Sequence, residues 1–353
     1  MDHLATPFPF SEGGCEVSGH DKEDRVKSQN RTRSLKPSRW FFASWTVLVV
    51  ALIAEGLRPG FSEQNRAVPF LVSVIVFGLP HGAADLMLLR THLRRRKRGL
   101  LAWRFGVYLL IMSISAALIL SAPVWSLLGF LLLSAWHFGV SDIHDLRLLG
   151  FRETSPVRLR LRALSRGFLI VSLPLALSPV ESAGVANQFL SLLGQSGIGA
   201  TLPEEPLLAA RGIGILALTG SFGLLLYRIR QGKKVQGTIE AGETVLLVLV
   251  LGLLDPLFAI GLYFVSCHSL RHVVKLMKVW DPDGVLPPWR LLVKVYIKSA
   301  PLLIPTIVVL VVLAATLASW DGDRIVVMIL AVFAITTLSH HVLVDDVLGL
   351  EEI

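Results

Sequence analysis

Six histidines lie inside apolar stretches of this 353-residue sequence. His81 falls in "GLPHGAADLMLL", His137 in "AWHFGVSD", His268 and His272 in "YFVSCHSLRHVV", and His340 and His341 in "TLSHHVLVDD". A neutral imidazole is a good ligand for iron, zinc, copper or nickel. His268 and His272 are spaced i, i+4, so a helix carries both on one face, where two imidazoles can reach one ion. A ligating imidazole usually has its second ring nitrogen held by a carboxylate or carbonyl. Asp85, Asp142 and Asp345 each follow a histidine by four or five residues. Asp85 has the spacing to serve His81 on its own helix; Asp142 and Asp345 can reach a histidine on a neighbouring one. A lone histidine in an apolar helix more often bonds an adjacent helix than binds metal. Six of them together point to a shared interior site, because ionisable groups in such helices are costly and face protected space.

Such a site needs elements that hold the histidines at one depth. Hydrophobic residues make up 53% of the chain and charged residues 17%, with a mean hydropathy of +0.63. That is too apolar for an ordinary soluble domain. Apolar runs near the bilayer span of about 20 residues recur along the chain. They do not alternate as the strands of a membrane barrel would. The expected fold is therefore all-α, a polytopic transmembrane helix bundle. Ten spans can be drawn, roughly 40–57, 67–90, 104–121, 124–145, 163–179, 207–228, 240–254, 256–278, 296–318 and 324–346. Segment 183–196 is too short to cross and reads as an interfacial helix, and "LLDPLF" reads as a tight turn between the seventh and eighth spans.

Basic connections such as "RTHLRRRKRGLLAWR" and "YRIRQGKK" alternate with connections that lack Lys and Arg, such as "SAPVW" and "LASWDGD". Arg58 and Arg66 are the exceptions. This alternation places both termini in the cytoplasm. The spans holding His81, His137, His268/His272 and His340/His341 then all run inward, with every histidine in the cytoplasmic half. Residues 1–39 form a basic, disordered cytoplasmic tail, residues 40–346 the transmembrane catalytic domain, and residues 347–353 a short C-terminal tail. The net charge of +8 is explained by topology, and no nucleic-acid partner is expected. Neither a secretory signal peptide, a glycine-rich phosphate loop nor a CxxC pair is present, and Cys15 and Cys267 define no disulfide framework. Tyr263, Trp136, Phe138 and Phe264 read as packing or interfacial-belt residues. Glu55, Glu243 and Asp255 fall near span ends, where charge is cheap. His92 and His144 lie near basic loops and read as solvated. Arg271 sits between the histidine pair on another face, able to reach the cytoplasmic interface or a carboxylate.

At these histidines the sequence resembles the Brp/Blh family, membrane β-carotene 15,15′-dioxygenases associated with microbial rhodopsins. "PHGAAD" at Pro80 to Asp85 matches a PHGxxD-like motif, "HFGVSD" at His137 to Asp142 an HFGxxD-like motif, and "HSLRH" at His268 to His272 an HSxRH motif. "SHHVLVD" matches a PHxxxxD-like motif with Ser339 where proline is usual, which leaves His340 or His341 as the matching residue. Each motif is short; together and in order they are specific, and they cover most of the chain. The resemblance implies a non-haem Fe(II) oxygenase that uses O₂ to split the central double bond of β-carotene into two all-trans-retinal molecules. It implies His81, His137, His268 and His272 as metal ligands, with Asp85, Asp142, His340 and Asp345 as supporting groups. It also implies an integral protein of a bacterial inner membrane, in contact with lipid, whose retinal could feed a rhodopsin.

Three other readings compete. A di-iron hydroxylase or desaturase acting on lipid would carry denser HxxxH and HxxHH clusters. A proton or divalent-metal transporter would carry paired carboxylates near mid-membrane and inverted repeats. A bis-histidine haem protein would place two opposed imidazoles on one porphyrin.

Overall fold

A computed structural model describes residues 39–84, 98–148, 151, 153, 155–280, 288–318 and 321–348. The chain divides into residues 1–36 and 37–353; residues 1–38 of the expected basic tail lie outside the described residues, as does Asp85. Every regular element among the described residues is helical. In order they are α1 (Arg39–Leu57), α2 (Phe61–Gln64), α3 (Val68–Ser73), a π-helical turn (Val74–Gly78), α4 (Leu79–Ala83), α5 (Arg98–Ser121), α6 (Pro123–Leu148), α7 (Pro156–Leu177) and α8 (Pro179–Leu192). Then come α9 (Glu204–Arg230), α10 (Lys234–Leu253), α11 (Pro256–Tyr263), a second π turn (Phe264–Ser269), α12 (Leu270–Trp280), α13 (Pro288–Leu313), a third π turn (Ala314–Ala318) and α14 (Gly322–Leu348). Proline opens α6, α7, α8, α11 and α13, where its missing N–H would have had no helical partner anyway. Asp255 caps α11 by accepting from the N–H groups of Leu257 and Phe258, at 2.9 and 3.1 Å.

Among the described residues seven helices are long and apolar enough to cross a membrane, or eight if α7 and α8, bent by 102° at Ser178, count as one span. This is a multi-pass membrane protein. The two other expected spans appear as shorter apolar helices, Phe41–Leu57 and Val68–Gly78. Large apolar side chains such as Leu120, Ile215, Leu216 and Ile304 are exposed on the bundle's outside, where lipid replaces water. The Pro256–Met277 span is the opposite case, with 83% of its most apolar window buried against 6% for Ala102–Ser121. It is the axis on which the other helices pack.

Two ion-pair groups fix the relative direction of the histidine-bearing helices. Arg66, just before α3, reaches Asp255 at the start of α11 and Asp323 at the start of α14, each at 3.8 Å. Lys275 on α12 meets Asp145 near the end of α6 at 2.8 Å. The segments carrying His81, His137, His268/His272 and His340/His341 therefore run in the same direction.

α6 and α7 cross at glycine contacts. A Cβ on Gly139 would stand 1.9 Å from the Ala163 carbonyl oxygen, and one on Gly167 would stand 1.6 Å from that of Ala135. The glycine of "HFG" thus lets two backbones touch, as expected for close helix packing in membranes. The glycine of "PHG", Gly82, has open space around its Cβ position.

Candidate metal centre

His137 sits on α6, His268 in the second π turn, His272 on α12, and His340 and His341 on α14. The π turn adds a residue to the helical register at the position of His268, and such turns are frequent at functional sites. The ring of His137 lies 5.0 Å from that of His268, 5.4 Å from that of His340 and 5.3 Å from that of His341, centroid to centroid. The His272 ring lies 6.2 Å from that of His340. His268, His272, His340 and His341 are buried. The Nδ1 atoms of His137 and His341 are 3.3 Å apart, a hydrogen bond that requires opposite tautomers at those two nitrogens. Both members of the "HH" pair face the cluster, so the choice that the sequence leaves open between them is not made by burial.

His81 lies on α4; its side chain and that of Asp345, on α14, fall outside the described atoms. The first π turn and α4 nevertheless border the cluster, since Gly78 of the turn and Leu79, Gly82 and Ala83 of α4 line the same cavity as His137, His268 and His340. That cavity has a volume of about 250 Å³. Its walls come from α4, α5, α6, α13 and α14 together with Phe264. Among the described residues no three His, Cys, Asp or Glu side chains close into a ligand set. The donors gathered here are imidazoles, which suit iron, zinc, copper or nickel.

Of the aromatic residues expected as packing, Phe138 and Phe264 line the cavity. Phe264 stacks on His268 at 5.2 Å with 23° between planes, and Phe138 meets the same imidazole edge-on at 5.2 Å. Phe333 lies 5.4 Å from Phe264. A side chain at Gly78 would press on this layer, its Cβ falling 3.3 Å from Phe264 Cε1.

Beside the cluster lies a buried charge network. Arg166 donates to Asp142 Oδ2 at 3.0 Å and to Glu243 Oε2 at 2.7 Å. Arg271 donates to Glu243 Oε1 at 2.5 Å and to Ser44 Oγ at 2.8 Å, and its guanidinium lies 4.1 Å from the Phe41 ring centre. The Tyr263 hydroxyl donates to Asp142 Oδ1 at 2.9 Å. Two carboxylates and two guanidiniums balance, which is how charge survives away from water. Four expectations are corrected here. Asp142, expected to steady an imidazole, instead holds Arg166 and Tyr263. Glu243, expected near a span end, is fully buried at 0% exposure. Tyr263 is polar machinery as well as packing. Arg271, left between two fates by the sequence, takes the carboxylate. His144, expected to be solvated, is half-buried.

A second network, Arg162 and Arg228 with Glu240 and Glu153, ties α7 to α9 and α10. Burial works to raise the Glu153 carboxyl, but hydrogen bonds from the Arg158 side chain and the Ser155 N–H outweigh it and hold the group below the ordinary carboxylate range.

Residues 72–347 match the protein family described as beta-carotene 15,15'-dioxygenase. The chain is 29% identical over 253 residues to the probable beta-carotene 15,15'-dioxygenase Blh of Halobacterium salinarum, a match covering 69% of this chain and 70% of that protein. It is 26% identical over 244 residues to the probable beta-carotene 15,15'-dioxygenase Brp of the same species, covering 66% of this chain and 65% of that one. No solved structure matches the chain.

Proposed function

The chain belongs to the β-carotene 15,15′-dioxygenase family, and from that premise we propose that its histidine cluster is the metal centre at which β-carotene is split into two molecules of all-trans-retinal. The observation that carries this reading is the clustering of His137, His268, His272, His340 and His341 from three segments of chain, with His137, His268 and His340 lining one apolar cavity. His81, His137, His268 and His272 would hold Fe²⁺. Ferrous iron held there supplies the dioxygen-activating chemistry. His340, with Asp85 and Asp345, keeps the ligating rings oriented through hydrogen bonds. Asp142 acts one step further out, by fixing α6 through Arg166 and the π turn through Tyr263.

The rest follows from the solvent. β-Carotene is a hydrocarbon that dissolves in lipid, so it reaches an intramembrane cavity sideways between helices. The phenyl walls bind the polyene by shape and dispersion and keep water from the reacting bond. In this reading the chain crosses the membrane ten times, with both termini and the basic tail of residues 1–39 in the cytoplasm of a bacterial cell. The retinal it releases into the lipid would be available to a rhodopsin.

Expression in β-carotene-producing cells tests this, with carotene and retinal both quantified. Bleaching with formation of retinal is the expected result. Persisting carotene with no apocarotenal of any length, from folded and iron-loaded protein, would overturn it.

A further inference from the structure

Cleaving a symmetric polyene at its centre leaves equal arms on either side of the reacting bond. With that bond at the histidines the two arms would run in different directions, and one cavity lies beside the histidines. A second cavity, of about 170 Å³, lies between α6, α7, α8, α11 and α14. Phe130, Ser134, Phe138, Phe264 and Phe333 line both.

The register on three helices shows how the two cavities are stacked. On α6 the second cavity begins at Leu127, whereas the first begins at Phe130 and continues to Phe138 past His137. Along α11 and its π turn the second is lined from Pro256 to Phe264, and the first by Phe264 and His268. On α14 the second takes Leu330 and Phe333, and the first runs from Val332 to His340. In each case the second cavity is displaced toward the start of the helix. Leu127 precedes His137 by ten residues, which at the α-helical rise places the far wall about 15 Å from the histidines. The lining is hydrocarbon apart from Ser134 and Ser182, and the Ser182 hydroxyl already donates to the Pro174 carbonyl at 3.1 Å. Such a chamber takes an apolar chain rather than a headgroup or polar metabolite.

We propose that this second chamber binds one arm of the polyene, and that Phe138, Phe264 and Phe333 form the passage between the arms and set which double bond lies at the histidines. The inference rests on the oxygenase reading and adds the residues that position its substrate. Phe264 is the pivotal ring, because it stacks on His268 on one side and faces both chambers.

Two variants test it. Ala186→Trp fills the second chamber from α8, remote from the histidines. It should lower the kcat/KM ratio of β-carotene to a shortened apocarotenal by roughly tenfold or more, the scale on which a filled apolar pocket discriminates. It should also lower β-carotene retention by the metal-free protein, read from its visible absorbance. Phe333→Ala widens the passage and should yield apocarotenals of unequal length beside retinal. An unchanged substrate ratio and unchanged carotene retention in Ala186→Trp would overturn the proposal. So would pure retinal from Phe333→Ala, should Ala186→Trp fail to fold. If the wild-type protein cleaves no carotenoid, the oxygenase reading fails. Carotene retention by metal-free wild type and Ala186→Trp still decides whether the chamber binds a polyene.

Discussion

Replacing Glu243 with leucine should destabilise the bundle more than almost any other single change. The carboxylate is fully buried and accepts from Arg166 at 2.7 Å and from Arg271 at 2.5 Å. Leucine removes both acceptors. Arg166 keeps Asp142, whereas Arg271 is left with the Ser44 hydroxyl and the Phe41 ring. Removing one partner of a buried pair costs about 3–5 kcal/mol, mainly because the other charge stays behind uncompensated. At about 1.4 kcal/mol per tenfold, the folded-to-unfolded ratio falls by roughly two to three and a half powers of ten. The double variant Glu243→Leu with Arg271→Met removes both charges of that pair and should recover a large part of the loss, since apolar replacement of a whole buried pair is often neutral. Reversible unfolding in mixed micelles, followed by tryptophan fluorescence, gives the four corners of the cycle. A loss under about 1 kcal/mol for Glu243→Leu, or strict additivity in the double variant, would refute the view that this network holds α1, α7, α10 and α12 together.

Further outcomes are expected. His81→Ala, His137→Ala, His268→Ala and His272→Ala should each sharply lower bound iron and activity, whereas His340→Ala should lose about 10–100-fold in activity and keep much of its iron; metal analysis of folded protein separates the two classes. Gly139→Ala and Gly167→Ala should cost about 1–3 kcal/mol or more, because the added carbon meets a backbone carbonyl that cannot turn away, while Gly82→Ala should leave thermal stability nearly unchanged; melting curves in detergent give the comparison. Thiol labelling of single cysteines placed between residues 90 and 104 should occur only from the cytoplasmic side, and labelling from the opposite side would overturn the orientation of all four histidine-bearing segments.

The histidine pattern was legible because imidazoles in apolar runs stand out and the spacing of His268 and His272 is helical. The all-helical class was legible from run length. The ends of the spans were less so: the fifth apolar run, drawn to residue 179, meets a second helix bent by 102°. Charge depth was hidden for a physical reason. Glu243 is the fourth residue of its drawn span and reads as terminal, yet its burial is set by Arg166 and Arg271 arriving from other helices. Asp142 misled similarly, since its spacing to His137 says nothing of a guanidinium on α7. The role of Phe264 was invisible because stacking on His268 depends on the π turn that holds both.

The central claim is that these imidazoles form the iron centre that cleaves the carotene at its middle. Its most direct test is a stoichiometric assay on purified protein, with β-carotene consumed and retinal formed measured in the same sample. The account predicts two retinals per carotene with Fe²⁺ present, loss of turnover on chelation, recovery on adding Fe²⁺ back, and no turnover in His137→Ala. Equal turnover in His137→Ala or in fully chelated wild-type protein would contradict it.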